Sequence, residues 1–256
     1  MLKAREPMGL FDFFKGKSAK AGGTERPKAG DKNVSRYAEA VSKKAQNYDR
    51  QEAIDALAKI GTAEAATVLL RRYAFVVDPG ITDQEEKETA FRGIVLAGKE
   101  ALPAIRDYCA KAESITWPLR MMREILDDEG YVGEILKMLE KWDTEYARNP
   151  DPKIQLIGAL EHVNDPRIVG AVTRFLEDVH EPTRFHAVST LLAQANGETA
   201  AGALARALTR EEANRTINTI TEGLVARGWS IPEVDRAGVD DKLSRGHRLT
   251  EDGRVV

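Results

Sequence analysis

Apolar positions recur at spacings of three and four along most of this chain, which is the period of one face of an α-helix. The pattern is clearest over residues 160–192, LEHVNDPRIVGAVTRFLEDVHEPTRFHAVSTLL. Asp165-Pro166 opens one amphipathic helix, Glu181-Pro182 sets a turn, and a second amphipathic helix follows. A two-helix unit that returns at a fixed period of roughly 20–50 residues predicts a stacked array of helical pairs.

The second helix of each pair is predicted to end at Gly61, Gly98, Gly130, Asn164, Asn196 and Gly228, residue types that suit the left-handed backbone closing a helix. The intervals between these ends are 37, 32, 34, 32 and 32 residues. Four positions before the ends stand Leu57, Ile94, Leu126, Leu160, Leu192 and Leu224. Eight before stand Ala53, Ala90, Met122, Leu156, Val188 and Ile220. Five before stand Ala56, Gly93, Ile125, Ala159, Leu191 and Gly223. These columns share one helix face, and small residues in the last of them let neighbouring helices approach closely.

First helices are predicted from SRYAEAVSKKA at Ser35, EAATVLLRRY at Glu64, EALPAIRDYC at Glu100, VGEILKMLEKW at Val132, RIVGAVTRFL at Arg167 and ETAAGALARAL at Glu198. The 37-residue interval, which spans the second pair, is assigned to a turn inserted at residues 77–82, and a milder extension ends at Asn149-Pro150-Asp151-Pro152. Residues 1–32 read as a flexible basic arm behind an apolar plug, MGLFDFFK, whose Met8 reads as a start in its own right. Phe11, Phe13 and Phe14 beside basic residues admit weak contact with a membrane surface. After Trp229 the helical period stops. Residues 229–256 read as a cap over the last pair, with Glu251-Asp252-Gly253 signalling a short β-hairpin.

Asn164-Asp165-Pro166-Arg167-Ile168-Val169 and the segment LAKIGTAEAATVLLRRY from Leu57 resemble the HEAT repeat, in the bacterial form found also in phycobilin lyases. Residues 151–160 resemble the start of that family's second helix, with Gln155 where an arginine is usual. The resemblance spans about residues 35–228 and is weakest in the third and sixth units. It implies an all-α, right-handed α-solenoid of about six antiparallel helical pairs. It implies nothing specific about activity, because the repeat carries fold.

Composition adds the compartment and removes several chemistries. Charged residues make up 31% of the chain and aromatics 6%, which suits many exposed helices. No apolar run approaches the roughly 20 residues of a membrane span, and no signal peptide is visible, so cytoplasmic residence is expected. Cys109 is the sole cysteine and is expected to be a structural thiol. Residues 1–33 carry a net charge of +4 within a chain of net −3, so the helical part is acidic and nucleic acid is not the expected partner. His162, His180, His186 and His247 include one His-Glu pair, His180-Glu181. HEAT-like metal enzymes such as deoxyhypusine hydroxylase use repeated pairs, so neither a metal nor another cofactor is expected.

The face opposite the apolar columns supplies the candidate site. Ten before each end stand Gln51, Glu88, Arg120, Ile154, His186 and Asn218; six before stand Asp55, Arg92, Glu124, Gly158, Thr190 and Glu222. The mixed charge lacks the basic stripe that a HEAT-like DNA glycosylase needs. Trp117-Pro118 at a helix start, near Arg92 and Arg120, combines residue types favoured at interfaces. The expected function is a non-enzymatic scaffold holding a protein or peptide on a concave face, through Arg92, Trp117, Arg120, Glu124, His186, Asn218 and Glu222. An enzyme or enzyme subunit on the same scaffold, glycosylase-like or phycobilin lyase-like, is the alternative.

Overall fold

Helices form here because starts and stops are written locally around each amphipathic segment. The protein is described by a computed structural model over residues 32–256. The 1–32 arm, with Phe11, Phe13 and Phe14, lies outside the described residues apart from its last position. The first layer holds α1 (Lys32–Ala38), α3 (Ala63–Leu70), α5 (Leu102–Cys109), α7 (Asp128–Leu139), α9 (Pro166–Val172) and α11 (Ala201–Arg210). Alternating with them are α2 (Asn47–Ile60), α4 (Gly80–Ala97), α6 (Thr116–Ile125), α8 (Asp151–Leu160), α10 (Glu181–Ala193) and α12 (Asn214–Arg227). Thr62, Asp127 and Asp165 accept backbone N–H bonds at the starts of α3, α7 and α9, while α5, α8, α9 and α10 carry proline in the first turn, where its missing donor costs nothing. Among the described residues the fold is all-α. A single antiparallel bridge, Leu249 with Val255, flanks the Glu251-Asp252-Gly253 turn and is too short to be a strand.

Each odd helix packs on the even helix that follows it, and each even helix also packs on the next even helix, α2 on α4 through α10 on α12. The columns read from sequence lie in these seams. Ala53, Ala90, Met122, Leu156, Val188 and Ile220 are all buried, as are Leu57, Ile94, Leu160, Leu192 and Leu224; Leu126 is half-buried. Gly93 shows why one column stays small. A Cβ there would sit 2.5 Å from the Cα of Ala58 and 2.8 Å from Leu69, so α4 lies almost against the α2 backbone.

Several predicted boundaries shift. Gly61 and Gly228 close α2 and α12 in left-handed backbone, and Gly98 has a positive φ outside that basin. Gly130 instead lies in the first turn of α7, where its N–H donates to Asp127 Oδ1. Asn164 and Asn196 keep negative φ and act through their side chains. Asn164 Oδ1 accepts the Ala195 N–H at 3.0 Å, and Asn196 Nδ2 donates to the Pro166 carbonyl at 3.3 Å, tying consecutive inter-pair loops. The first predicted helix stops early, at Ala38. The insertion placed at residues 77–82 is partly helical, because α4 begins at Gly80.

Buried charges join neighbouring pairs along the turns inside them. Glu86 Oε2 accepts from Arg50 Nε at 2.8 Å and from Arg72 Nε at 2.6 Å, and all three side chains are buried. Arg72 also reaches Asp83 Oδ1, whose other oxygen takes Lys87 Nζ. The arrangement returns further along the chain. Lys153, at the start of α8, reaches Asp178 beyond α9, and Arg184, in α10, makes a bidentate pair with Glu211 beyond α11. After α12 the chain folds back: Trp229, Ile231, Val239 and Val255 join the common core.

Removing Glu86 strands two buried guanidinium groups. Glu86→Ala is expected to cost about 3–5 kcal/mol in urea unfolding, whereas the exposed pair variant Glu177→Ala costs under about 1 kcal/mol. Acid acts on the same ladder. Burial pushes the carboxyls of Asp83 and Glu211 up, but hydrogen bonds from Lys87, Arg72 and the Val77 N–H, and from Arg184 and the Ala213 and Glu212 N–H groups, bring each down to about 2. Both groups therefore bind protons more readily when unfolded, so their stabilisation is present at neutral pH and is lost as pH falls from about 4.5 through about 2. Urea midpoints measured across that window should fall, and Glu211→Gln should flatten the slope; an unchanged slope would refute the assignment.

Candidate interaction face

The even helices present their second face away from the odd layer, and the candidate residues are distributed along it. On α4, Arg92 is exposed and donates Nη2 to Thr89 Oγ1 at 3.0 Å. A groove of about 610 Å³ runs between α2 and α4, lined by Tyr48, Gln51, Thr82, Glu85, Glu88 and Arg92. Tyr48 stands 78% exposed at its rim, the kind of ring that an interface covers.

Beside the groove, Trp117 and Arg120 form a joint site with residues the column reading did not include. The Arg120 guanidinium lies 4.4 Å from the Trp117 ring centroid and 5.0 Å from that of Phe91. Tyr73 also packs on Trp117, ring centroids 5.3 Å apart, and donates its hydroxyl to the Lys87 carbonyl. Arg120 Nη1 approaches Glu88 Oε1 at 3.5 Å, with 41% of its side chain exposed. Two aromatic rings and a carboxylate thus hold the guanidinium in one orientation while part of its donor fork faces solvent. Trp117 is half-buried and supports Arg120 from between α4 and the segment after α3. Tyr48 sits three residues before Gln51, and Phe91 three after Glu88, so helical spacing from the polar column could have found both.

The remaining candidates lie on other helices. Glu124 and Glu222 are exposed on α6 and α12. Asn218 accepts the Ser244 hydroxyl and so faces the C-terminal segment. His186 packs edge-on against Phe185 and over Gly158, where a Cβ would come within 3.3 Å of its Nδ1. Thr190, in the same face pattern, is fully buried with its hydroxyl on the Ile157 carbonyl. The close seam of α8 and α10 therefore covers part of the face that spacing alone leaves open.

Other chemistry-bearing groups are accounted for. Burial pushes the Cys109 thiol up to about 12, so it is protonated at neutral pH and a poor nucleophile. His180, in the one His-Glu pair, accepts the Ala147 N–H through Nε2 and packs on Tyr146. Among the described residues no group of three or more His, Cys, Asp or Glu side chains is placed to hold a metal ion, and no helix is long and apolar enough to cross a membrane. Comparison of the chain with protein-family models, curated proteins and solved structures finds no match.

His186 gives this face a pH signature. Burial lowers its imidazole below the ordinary histidine value; Glu161 and Glu181 counter this, and Arg215 adds to it. The unfolded chain then takes the proton first, so stability is whole above about pH 6.5 and declines as pH falls below it. An NMR titration should place His186 below the ordinary histidine value, and His186→Gln should remove this part of the pH dependence.

Proposed function

We propose that the chain is a right-handed HEAT-like solenoid acting as a non-enzymatic scaffold, with the even helices forming the concave face and residues 229–256 its cap. The partner in this reading is a protein segment laid across the α2–α4 groove. Its contact centre is Arg120, with Arg92 and Tyr48 beside it.

One observation carries the reading: the Arg120 guanidinium is held by Trp117, Phe91 and Glu88 at the side of an open groove. A cation fixed before binding loses little side-chain freedom on contact, and aromatic-backed arginines are typical anchors. The groove lining mixes Glu85 and Glu88 with Arg92, Gln51 and Tyr48, which suits a polypeptide with both charges and apolar side chains better than a phosphate backbone. The ladder of even-on-even packing supports the solenoid, since each pair then contacts chiefly its neighbours.

The test is affinity capture with the intact chain, with Arg120→Glu and with Glu124→Lys as a charge-changing control on the same helix. Arg120→Glu should lose the captured protein while helicity is retained and the melting temperature falls only modestly, and Glu124→Lys should weaken capture less. Identical capture by the intact chain and Arg120→Glu would sink this reading.

A further inference from the structure

The odd-helix layer carries a second opening, of about 750 Å³, between the 3-10 turn Thr173–Glu177 that extends α9 and the helix α11. Its accessible cations are Arg174, Arg206 and Arg210, all exposed. Two of the carboxylates in its wall are buried and already engaged, Asp178 by Lys153 and Glu211 by Arg184. Arg210 pairs with Glu177 at 3.0 Å, but both side chains are about two-thirds exposed, so solvent screens the pair. Arg206 is held by Asp235. Glu212 remains at the rim.

Arg174 differs from these. It pairs with no carboxylate among the described residues. Its guanidinium lies 4.4 Å over the Phe175 ring, and Nη2 donates to the Leu139 carbonyl at 2.9 Å. Stacking and one backbone bond thus set its plane and leave its other donors without an acceptor among the described residues. In a 3-10 turn, positions three apart stand above one another, so Arg174 and Glu177 lie on one edge, and Glu177 leads across to Arg210. Arg206 and Arg210 are one helical turn apart on α11. Small residues, Gly170 and Ala207 among them, line the opening, and a Cβ at Gly170 would meet nothing within 4 Å.

We propose that this opening binds an acidic segment of a partner protein, with carboxylates taken by Arg174 and by Arg210 in exchange for Glu177. Guanidinium forks match carboxylates two bonds at a time. Donors spread along a turn and a helix suit several side-chain carboxylates in a row better than one compact anion. The site lies in the other layer from Arg120, so it stands or falls separately from the scaffold reading.

The experiment is fluorescence anisotropy of a labelled oligoglutamate peptide, with an oligoglutamine peptide as control, against the intact chain at low salt. The glutamate peptide should bind saturably and the glutamine peptide should not. Arg174→Ala and Arg210→Ala should each weaken binding roughly tenfold. Glu177→Gln, which leaves the stack untouched and frees Arg210, should tighten it. Arg120→Glu should bind like the intact chain. The proposal is overturned by absence of binding, by equal binding of both peptides, by Arg210→Ala and Glu177→Gln both behaving as the intact chain, or by loss of binding in Arg120→Glu.

Discussion

The carboxylate of Glu86, shared between two buried guanidinium groups, is the constraint on which the N-terminal half of this fold rests. Arg50 belongs to α2, Arg72 follows α3 and Glu86 lies in α4, so one acid joins three elements. None of these charges can remain in a dry seam without its partners, because desolvation costs several kcal/mol per ion. Arg50 makes the point fully: Nε goes to Glu86, Nη1 to the Ala45 carbonyl and Nη2 to Asn47 Oδ1. Glu86 Oε1 is buried without a hydrogen bond among the described residues, so the cluster is held chiefly through a single oxygen.

Lys153 with Asp178 and Arg184 with Glu211 repeat the device in the C-terminal half. Each links the opening of an even helix to the turn after the next odd helix. Apolar columns between the layers supply the bulk of the burial, and many slightly different stackings would bury them about as well. Charges that must meet specific partners discriminate among those stackings. Register along the array is the role best suited to them.

That register also sets the outer surfaces. Spacing the α2 and α4 helices around the Arg50–Glu86 contact leaves the groove in which Tyr48 and Arg92 stand. In the second half, His186 over Gly158 and Thr190 on the Ile157 carbonyl occupy the same face at the α8–α10 seam. The arginine-lined opening of the odd layer arises similarly, since Arg184 and Glu211 satisfy each other in its wall and leave Arg174 without a carboxylate partner among the described residues.

Helical pairs, their approximate number and their inward residues were legible because period and burial are local properties. A residue eight before a predicted end points to the core whatever the neighbouring pair does, and all six such positions are buried. Trp117 and Arg120 were legible as candidates because they sit one turn apart on α6. The predicted helix end at Gly130 is instead the first turn of α7, and at Asn164 and Asn196 a side chain that bonds a neighbouring loop relieves the backbone of the left-handed turn expected there. What tertiary structure alone decided is which charges are buried. Arg50, Arg72 and Lys153 look like solvated positions in a charged sequence, and only partners 36, 14 and 25 residues away make them core. Local spacing determines which side of a helix a residue occupies; whether that side meets water, a carboxylate or another backbone depends on segments the spacing does not contain.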